Sequence, residues 1–343
     1  MKSLRQILLS FAVTGLLVWL LLRVTGTQWG GVVRALRSVE WPWYLGALFT
    51  QLCIYPLRAA RFASLLDNAT WRKQHRSAGT AELIPVTLAH TLLAYLLPAK
   101  VGEASLLWYL KRGWQVPASR SLAVLLVARL LDLLFVCAFL CVACLVVGYG
   151  NLSLEPARMR ALGWILVPVT LVLVVGLWKG VSLLGRVRVA LQPLWRRTGK
   201  LGGRLRDLVD RLHGALQEVE PRALAHAALW SPIIWALVFV FYALLARGLG
   251  MQPLTFAQAT FGAGLAVLFG LLPISAFAGF GSQDAGWVLG FVAVGVDRVL
   301  ATEAGLAIHL IYALHIVVLG VLGHAWARRW AAERTASVSG PPV

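Results

Sequence analysis

The sequence predicts an all-α polytopic membrane protein with about six spanning helices and two broken, re-entrant helical hairpins, arranged as two inverted halves. Three observations carry that expectation. Of the 343 residues, 59% are hydrophobic and only 13% charged, whereas a soluble globular protein carries about a quarter charged residues. Two apolar stretches, one early and one late, are each interrupted by proline, then glycine, then a single carboxylate: Leu97-Pro98-Ala99-Lys100-Val101-Gly102-Glu103 and Leu272-Pro273 through Gly279-Phe280-Gly281-Ser282-Gln283-Asp284. The net charge of +18 comes from basic residues gathered on alternate connections, as the positive-inside rule requires. Without membrane segments that charge would suggest nucleic acid; here orientation explains it, and no nucleic-acid partner is expected.

The breaks matter most. The apolar segment from Glu82 to Leu97 reaches roughly 24 Å at about 1.5 Å per residue, short of the roughly 30 Å hydrocarbon core. Its stop at Pro98 therefore falls at membrane depth, where freed backbone survives only inside protein or beside a water-filled cavity. Pro98, Gly102, Pro273, Gly279 and Gly281 are the expected hinge positions. Paired proline/glycine interruptions in corresponding places of two halves point to an internal repeat with a binding site between the halves. Two unrelated kinked helices are the plain alternative, because both residues are common in membrane helices.

In chain order, Ile7 to Leu22 predicts a retained first helix, since Arg23 to Trp29 makes a poor cleavage site. Trp41 and Trp43 open a second helix as an interfacial belt, which continues through Pro56 to Arg58 and Arg61, three residues apart and so on one face. The first broken hairpin follows, then a helix over about 121–147 that contains Arg129 and Asp132, and another over about 161–178. Residues 179–222 hold ten Lys or Arg, with Leu201, Leu205, Leu208, Leu212, Leu216 and Val219 at helical spacing, which predicts a cytoplasmic amphipathic elbow. A helix over about 223–245, the second broken hairpin and a helix over about 304–326 complete one transmembrane domain, 1–330. Its halves are 1–178 and 223–330, and 331–343 is expected to be a disordered tail.

With both termini cytoplasmic, the outer side keeps only Arg23, Arg34, Arg37, Arg158, Arg160, Arg247 and Arg298 of the 32 Lys and Arg, and Arg129 lies within a helix. The first hairpin then opens from the cytoplasm and the second from outside, the relation an inverted repeat demands. Two spanning helices per hairpin would satisfy the same count.

Ionisable side chains at membrane depth are costly and by default mark a functional site. The candidate substrate-binding residues are Arg58, Arg61, Lys100, Glu103, Arg129, Asp132, Ser275, Gln283 and Asp284. Guanidinium groups match phosphate bidentately, so Arg58, Arg61 and Arg129 would receive a lipid phosphate while Glu103, Asp132 and Asp284 orient them or carry protons. The structural alternative is a set of neutralised pairs that hold the broken helices, with Arg58 and Arg61 extending to the interface. His90, His309 and His315 read as hydrogen-bonded core histidines, and Cys141-x-x-Cys144 reads as packing. No metal and no cofactor is expected.

At these residues the chain resembles the membrane region of the lysylphosphatidylglycerol synthase family, also described as flippase-like integral membrane proteins. The likeness rests on Arg58-Ala-Ala-Arg61-Phe62, on Leu97 to Glu103, on Arg129-Leu-Leu-Asp132, and on Leu272 to Ser275 with the glycines and carboxylate that follow. It implies a bacterial inner-membrane, multi-pass protein, not an enzyme, that moves an anionic phospholipid, glycolipid or polyprenyl-phosphate-type lipid, and a possible lipid-synthesis enzyme as partner. Gln283-Asp284 departs from the Arg-Glu usual in the family, and no soluble aminoacyltransferase domain, nor its lipid-modifying activity, is expected after residue 330. A membrane glycosyltransferase, or an accessory scaffold of a hopanoid or glycolipid pathway, is the competing reading. In the leading one, helix N-termini restarting after Gly102 and Gly281 favour an anionic headgroup, and Glu103 and Asp284 exchange protons as their arginine partners switch to phosphate.

Overall fold

The computed structural model describes residues 2–67, 78–190, 199–251, 253–271 and 277–338. Among the described residues there are helices and connections and no strand. Helix α1 (Lys2–Thr25) turns at Gly26, where φ is +72°, into α2 (Trp29–Arg37). The Thr14–Thr25 part of α1 and α2 meet at 91°. Helix α3 (Trp41–Leu66) starts with Pro42 in its first turn, where the missing N–H is not needed, and continues through Pro56.

The first hairpin consists of α4 (Thr80–Leu96), a 3₁₀ segment (Pro98–Ala104) and α5 (Ser105–Trp114). Gln115, with φ of +58°, turns the chain into α6 (Ala118–Tyr149). Then come α7 (Pro156–Ala190), α8 (Gly199–Gln217) and α9 (Pro221–Gly248). The second hairpin repeats the order: α10 (Phe256–Leu271), a short 3₁₀ turn (Phe277–Gly279) and α11 (Ser282–Ala293). Helix α12 (Arg298–Val338) ends the described chain.

Four helices are long and apolar enough to cross a membrane: α6, α7, α9 and the Arg298–Trp330 part of α12; the bent α1/α2 pair adds a fifth if it is one span. The expected count of about six is thus not reproduced on length and composition. The difference lies in α3, which is long enough but carries Gln51, Tyr55, Arg58 and Arg61 on its inward face. A helix sheltered by others can hold polar groups that a lipid-facing one cannot. Helix α7 is the opposite case: only 11% of its apolar window is buried, and Trp164, Ile165, Val172 and Trp178 are exposed, as a lipid-facing helix requires. Two boundaries also move. Helix α7 runs to Ala190, into the stretch expected to be the elbow, and α12 stays helical to Val338, beyond the start of the expected tail.

The packing is reciprocal. Helices α3 and α9 form the largest interface; α4, the first arm of hairpin one, packs on α12, while α10, the first arm of hairpin two, packs on α6. The two 3₁₀ segments touch each other. At about 1.5 Å per residue, α4 and α10 are only about 26 Å and 24 Å long, each shorter than the roughly 30 Å hydrocarbon core. Gly102 makes the first break possible, because a Cβ there would run into the Leu93 carbonyl of α4. The second uses positive φ at Ala278, Gly279 and Gly281 (+54°, +77° and +89°), conformations that glycine adopts without steric cost. Around α9–α11 the fully buried Ile234, Phe239, Phe241, Leu245, Phe261 and Phe291 form the main packed core, and a second cluster around Leu83, Leu106, Leu110 and Leu131 seats the first hairpin.

Candidate functional site

Three structures meet where the hairpins break: an ionic chain at the first break, a carboxylate–imidazole pair at the second, and a cavity between them. The chain begins on α3. Arg61, on a face shared with Arg58, is buried and donates from Nη1 to Asp132 Oδ1 of α6 at 2.7 Å and more weakly to Ser231 Oγ of α9 at 3.3 Å. The Trp235 indole N–H, one turn along α9, reaches the same Asp132 oxygen at 3.1 Å. Arg129 donates from Nη1 to Asp132 Oδ2 at 2.7 Å, and from Nε and Nη2 to Glu103 Oε2 at 3.2 and 3.0 Å. The i, i+3 spacing of Arg129 and Asp132 puts both on one face of α6. Asp132 therefore holds two guanidiniums and Arg129 two carboxylates.

The chain continues into hairpin one. His90 Nε2 of α4 lies 3.5 Å from Glu103 Oε2, and Nδ1 is 2.9 Å from Ser105 Oγ at the start of α5. A proton on Nε2 lets Ser105 donate to Nδ1, a tautomer assigned from the partners. Two arginines and two carboxylates leave the network without net charge, which is how ionic groups survive in a low-dielectric interior. Arg129 is the open member, with its side chain 37% exposed, while Arg61 and Asp132 are each 2% exposed.

At the second break Asp284 is the third residue of α11. Its Oδ2 accepts from the Gly281 backbone N–H at 2.9 Å and caps the helix, the favoured place for a carboxylate. Its Oδ1 lies 2.6 Å from His309 Nδ1 of α12, and His309 Nε2 faces the Ala278 carbonyl at 3.0 Å. Phe280 stacks on the imidazole with ring centroids 3.8 Å apart. With a carbonyl accepting at Nε2, one proton lies between His309 and Asp284, and the pair is neutral wherever that proton sits.

Between the breaks is a cavity of about 140 Å³. Arg58 of α3 lines it, with Gln51 and Tyr55 of the same helix, Tyr95 from the end of α4, Tyr242 of α9, Gln283 of α11 and Tyr312 of α12. Trp235 joins the cavity wall to Asp132. Gln283 donates to the Tyr242 hydroxyl at 3.4 Å.

The sequence-predicted residues thus divide. Arg61, Glu103, Arg129 and Asp132 come together in one network; Arg58 and Gln283 face the cavity beside it; Asp284 stands behind the cavity wall with His309. Glu103 lies in the 3₁₀ segment, not in the first turn of the restarting helix. Pro273, Ser275 and the Lys100 side chain lie outside the described residues. The three arginines expected to share one anion are separated in role, because carboxylates already occupy Arg61 and Arg129. Sequence reasoning missed the four tyrosines and Gln51. Their signal was present as hydroxyls and an amide in apolar helices, which need polar partners when buried. All four cysteines are free, and no group of His, Cys, Asp and Glu suited to a metal ion occurs among the described residues.

No curated protein matches the sequence. The family model described as Lysylphosphatidylglycerol synthase TM region matches residues 7–320. That match covers nearly the whole chain, the network and the cavity included, and this multi-pass membrane protein belongs to that family.

Proposed function

We propose that the chain is a lipid translocase, not an enzyme, in which two inverted halves alternate around the cavity between the hairpin breaks. The observation that carries this reading is the cavity itself: Tyr95 and Gln283 reach it from the two broken hairpins, and Arg58 supplies a positive charge. The reciprocal packing of α4 on α12 and of α10 on α6 supports a two-fold relation between α3–α6 and α9–α12, because such an axis turns each contact into the other. Broken helices at a repeat interface are the usual seat of a transporter's site. The substrate in this reading is an anionic lipid, and both termini lie in the bacterial cytoplasm, where the basic connections gather.

Glu103 is proposed to couple transport to protons, since releasing Arg129 to a phosphate would leave the carboxylate free to take one up. The test is a headgroup-labelled lipid flipping assay in proteoliposomes, with and without a pH gradient. Protein-dependent flipping that Glu103→Gln uncouples from the gradient is the expected result. Absence of flipping by wild type would remove the translocase reading in favour of a lipid-modifying or scaffolding role. Glu103→Gln protein as fast as wild type under the gradient would leave Glu103 purely structural.

A further inference from the structure

We infer that Asp284 and His309 form a proton-loading site, reached from the cavity through a pocket that holds a single water, and that loss of the proton unfastens the second break from α12. The role in transport rests on the translocase reading; the proton site itself does not.

The geometry of the pair comes first. His309 Nε2 faces the Ala278 carbonyl at 3.0 Å while Nδ1 lies 2.6 Å from Asp284 Oδ1, so with both bonds made the pair holds one proton more than a neutral imidazole and a carboxylate. Behind the cavity wall lies a pocket of about 10 Å³. That is the lower limit for one water, which needs about 10–15 Å³ and about two to four polar partners. Asp284, His309, Gln283, Tyr242, Tyr312 and Trp287 line it. Trp287 is 3% exposed and its indole N–H has no hydrogen-bond partner, a buried donor that a water in this pocket would satisfy. Gln283, Tyr242 and Tyr312 also line the large cavity, so hydroxyl and amide groups connect the two spaces.

Loss of the proton to that water leaves one N–H on the imidazole and a full negative charge on Asp284. The remaining N–H goes to the carboxylate, because a charge-assisted hydrogen bond is roughly twice as strong as a neutral one. The Nε2 lone pair then meets the Ala278 carbonyl oxygen, and the bond from α12 to the 3₁₀ turn (Phe277–Gly279) is lost, at a turn where Ala278 and Gly279 already hold positive φ. Few other groups bear on the pair. Among the described residues, Tyr95 of α4 stands 6.1 Å from His309 between ring centroids, and Tyr242 of α9 and Tyr312 of α12 complete the titratable neighbours. Helix α10 presents Ala266, and α1 places Leu17 against Gly281. The first 3₁₀ segment, which touches the second, carries Glu103, already bonded to Arg129; the side chain of Lys100 on the same segment is outside the described residues. No Lys, Arg or second carboxylate occurs among the described residues that line the pocket, so the proton is the charge that this pair exchanges.

The experiment is solid-state NMR of the full chain in lipid bilayers, with histidine nitrogens and alanine carbonyls isotopically labelled. As pH rises from about 5 to about 8, the window in which histidine ordinarily changes charge, His309 Nε2 should lose its proton while Nδ1 keeps one. The Ala278 carbonyl signal should move with the same midpoint, and His309 should exchange magnetisation with water. His309→Gln assigns the signal. Asp284→Asn, whose side-chain oxygen still accepts from the Gly281 N–H, should hold His309 neutral with Nε2–H on Ala278 throughout the window. Glu103→Gln should leave the titration in place. Flipping in proteoliposomes reads the consequence: a gradient of one pH unit is worth up to about tenfold per coupled proton, so wild type should accelerate by that order and Asp284→Asn should not respond. A wild-type His309 that does not titrate in the window, an Ala278 carbonyl that does not follow it, or no transfer from water would overturn the inference without any variant. So would loss of the titration in Glu103→Gln, which would put the proton at the first break, or an Asp284→Asn protein that accelerates as much as wild type. The two claims fail separately. A titrating pair in a protein that moves no lipid leaves the proton site and removes the translocase reading, and transport with a silent pair does the reverse.

Discussion

The two breaks meet the same demand, an apolar helix interrupted after sixteen or seventeen residues, with different chemistry. At the first, Glu103 is one link in a chain of full charges that ties α3, α6, α9 and the 3₁₀ segment together through Asp132 and Arg129. At the second, Asp284 caps its own helix and leans on one neutral-or-charged partner, His309. Guanidinium groups do not give up their proton, so the first break is held by ions whose removal strands a charge. Imidazole can lose its charge, so the second break tolerates the loss of its carboxylate. The carboxylate of the first break is linked through Arg129 to α6, α3 and α9, whereas that of the second bonds its own helix and α12.

This contrast is most severely tested at Asp132. Asp132→Ala would leave Arg61, 2% exposed, without a counter-ion, and breaking a buried pair from one side costs roughly 3–5 kcal/mol; unfolding of the purified protein in mixed detergent should show a loss of that order. Asp284→Asn should lose less, about 1–3 kcal/mol, because the side-chain oxygen can still cap Gly281 N–H and His309 can become neutral. Equal losses at the two positions would break the comparison. Gly279→Ala places a Cβ at φ of +77° and should cost roughly 1–2 kcal/mol, read as a lower melting temperature. The smallest effect is expected at Ser231→Ala, which removes the 3.3 Å bond from Arg61 and the hydroxyl's own 2.8 Å bond to the Ala227 carbonyl, already satisfied within the helix, and should cost about 0.5–1.5 kcal/mol. A larger loss there would mean that Ser231, and not Asp132, is what positions Arg61.

The i, i+3 spacings of Arg58 with Arg61 and of Arg129 with Asp132 were legible because a helix face is set by local geometry. Which guanidinium met which carboxylate was not legible, since Arg61 and Asp132 lie 71 residues apart and only the docking of α3 against α6 and α9 joins them. For the same reason Arg58 and Arg61 looked equivalent, although one faces a cavity and the other is consumed by an ion pair. Helix α3 shows the limit of hydropathy: its polar residues reduce its apolar score because they serve an interior that the segment alone does not reveal.

The sequence by itself determined that the chain is helical and membrane-embedded, where its helices break, and that it belongs to its family, because apolar runs, proline and glycine act within a few residues of themselves. Tertiary structure alone decided that the breaks touch, that two arginines are neutralised and one is left over, and that four tyrosines from four helices share one cavity. Those outcomes depend on side chains distant in sequence competing for the same partners in a medium without water, and that competition is settled only once the helices are packed.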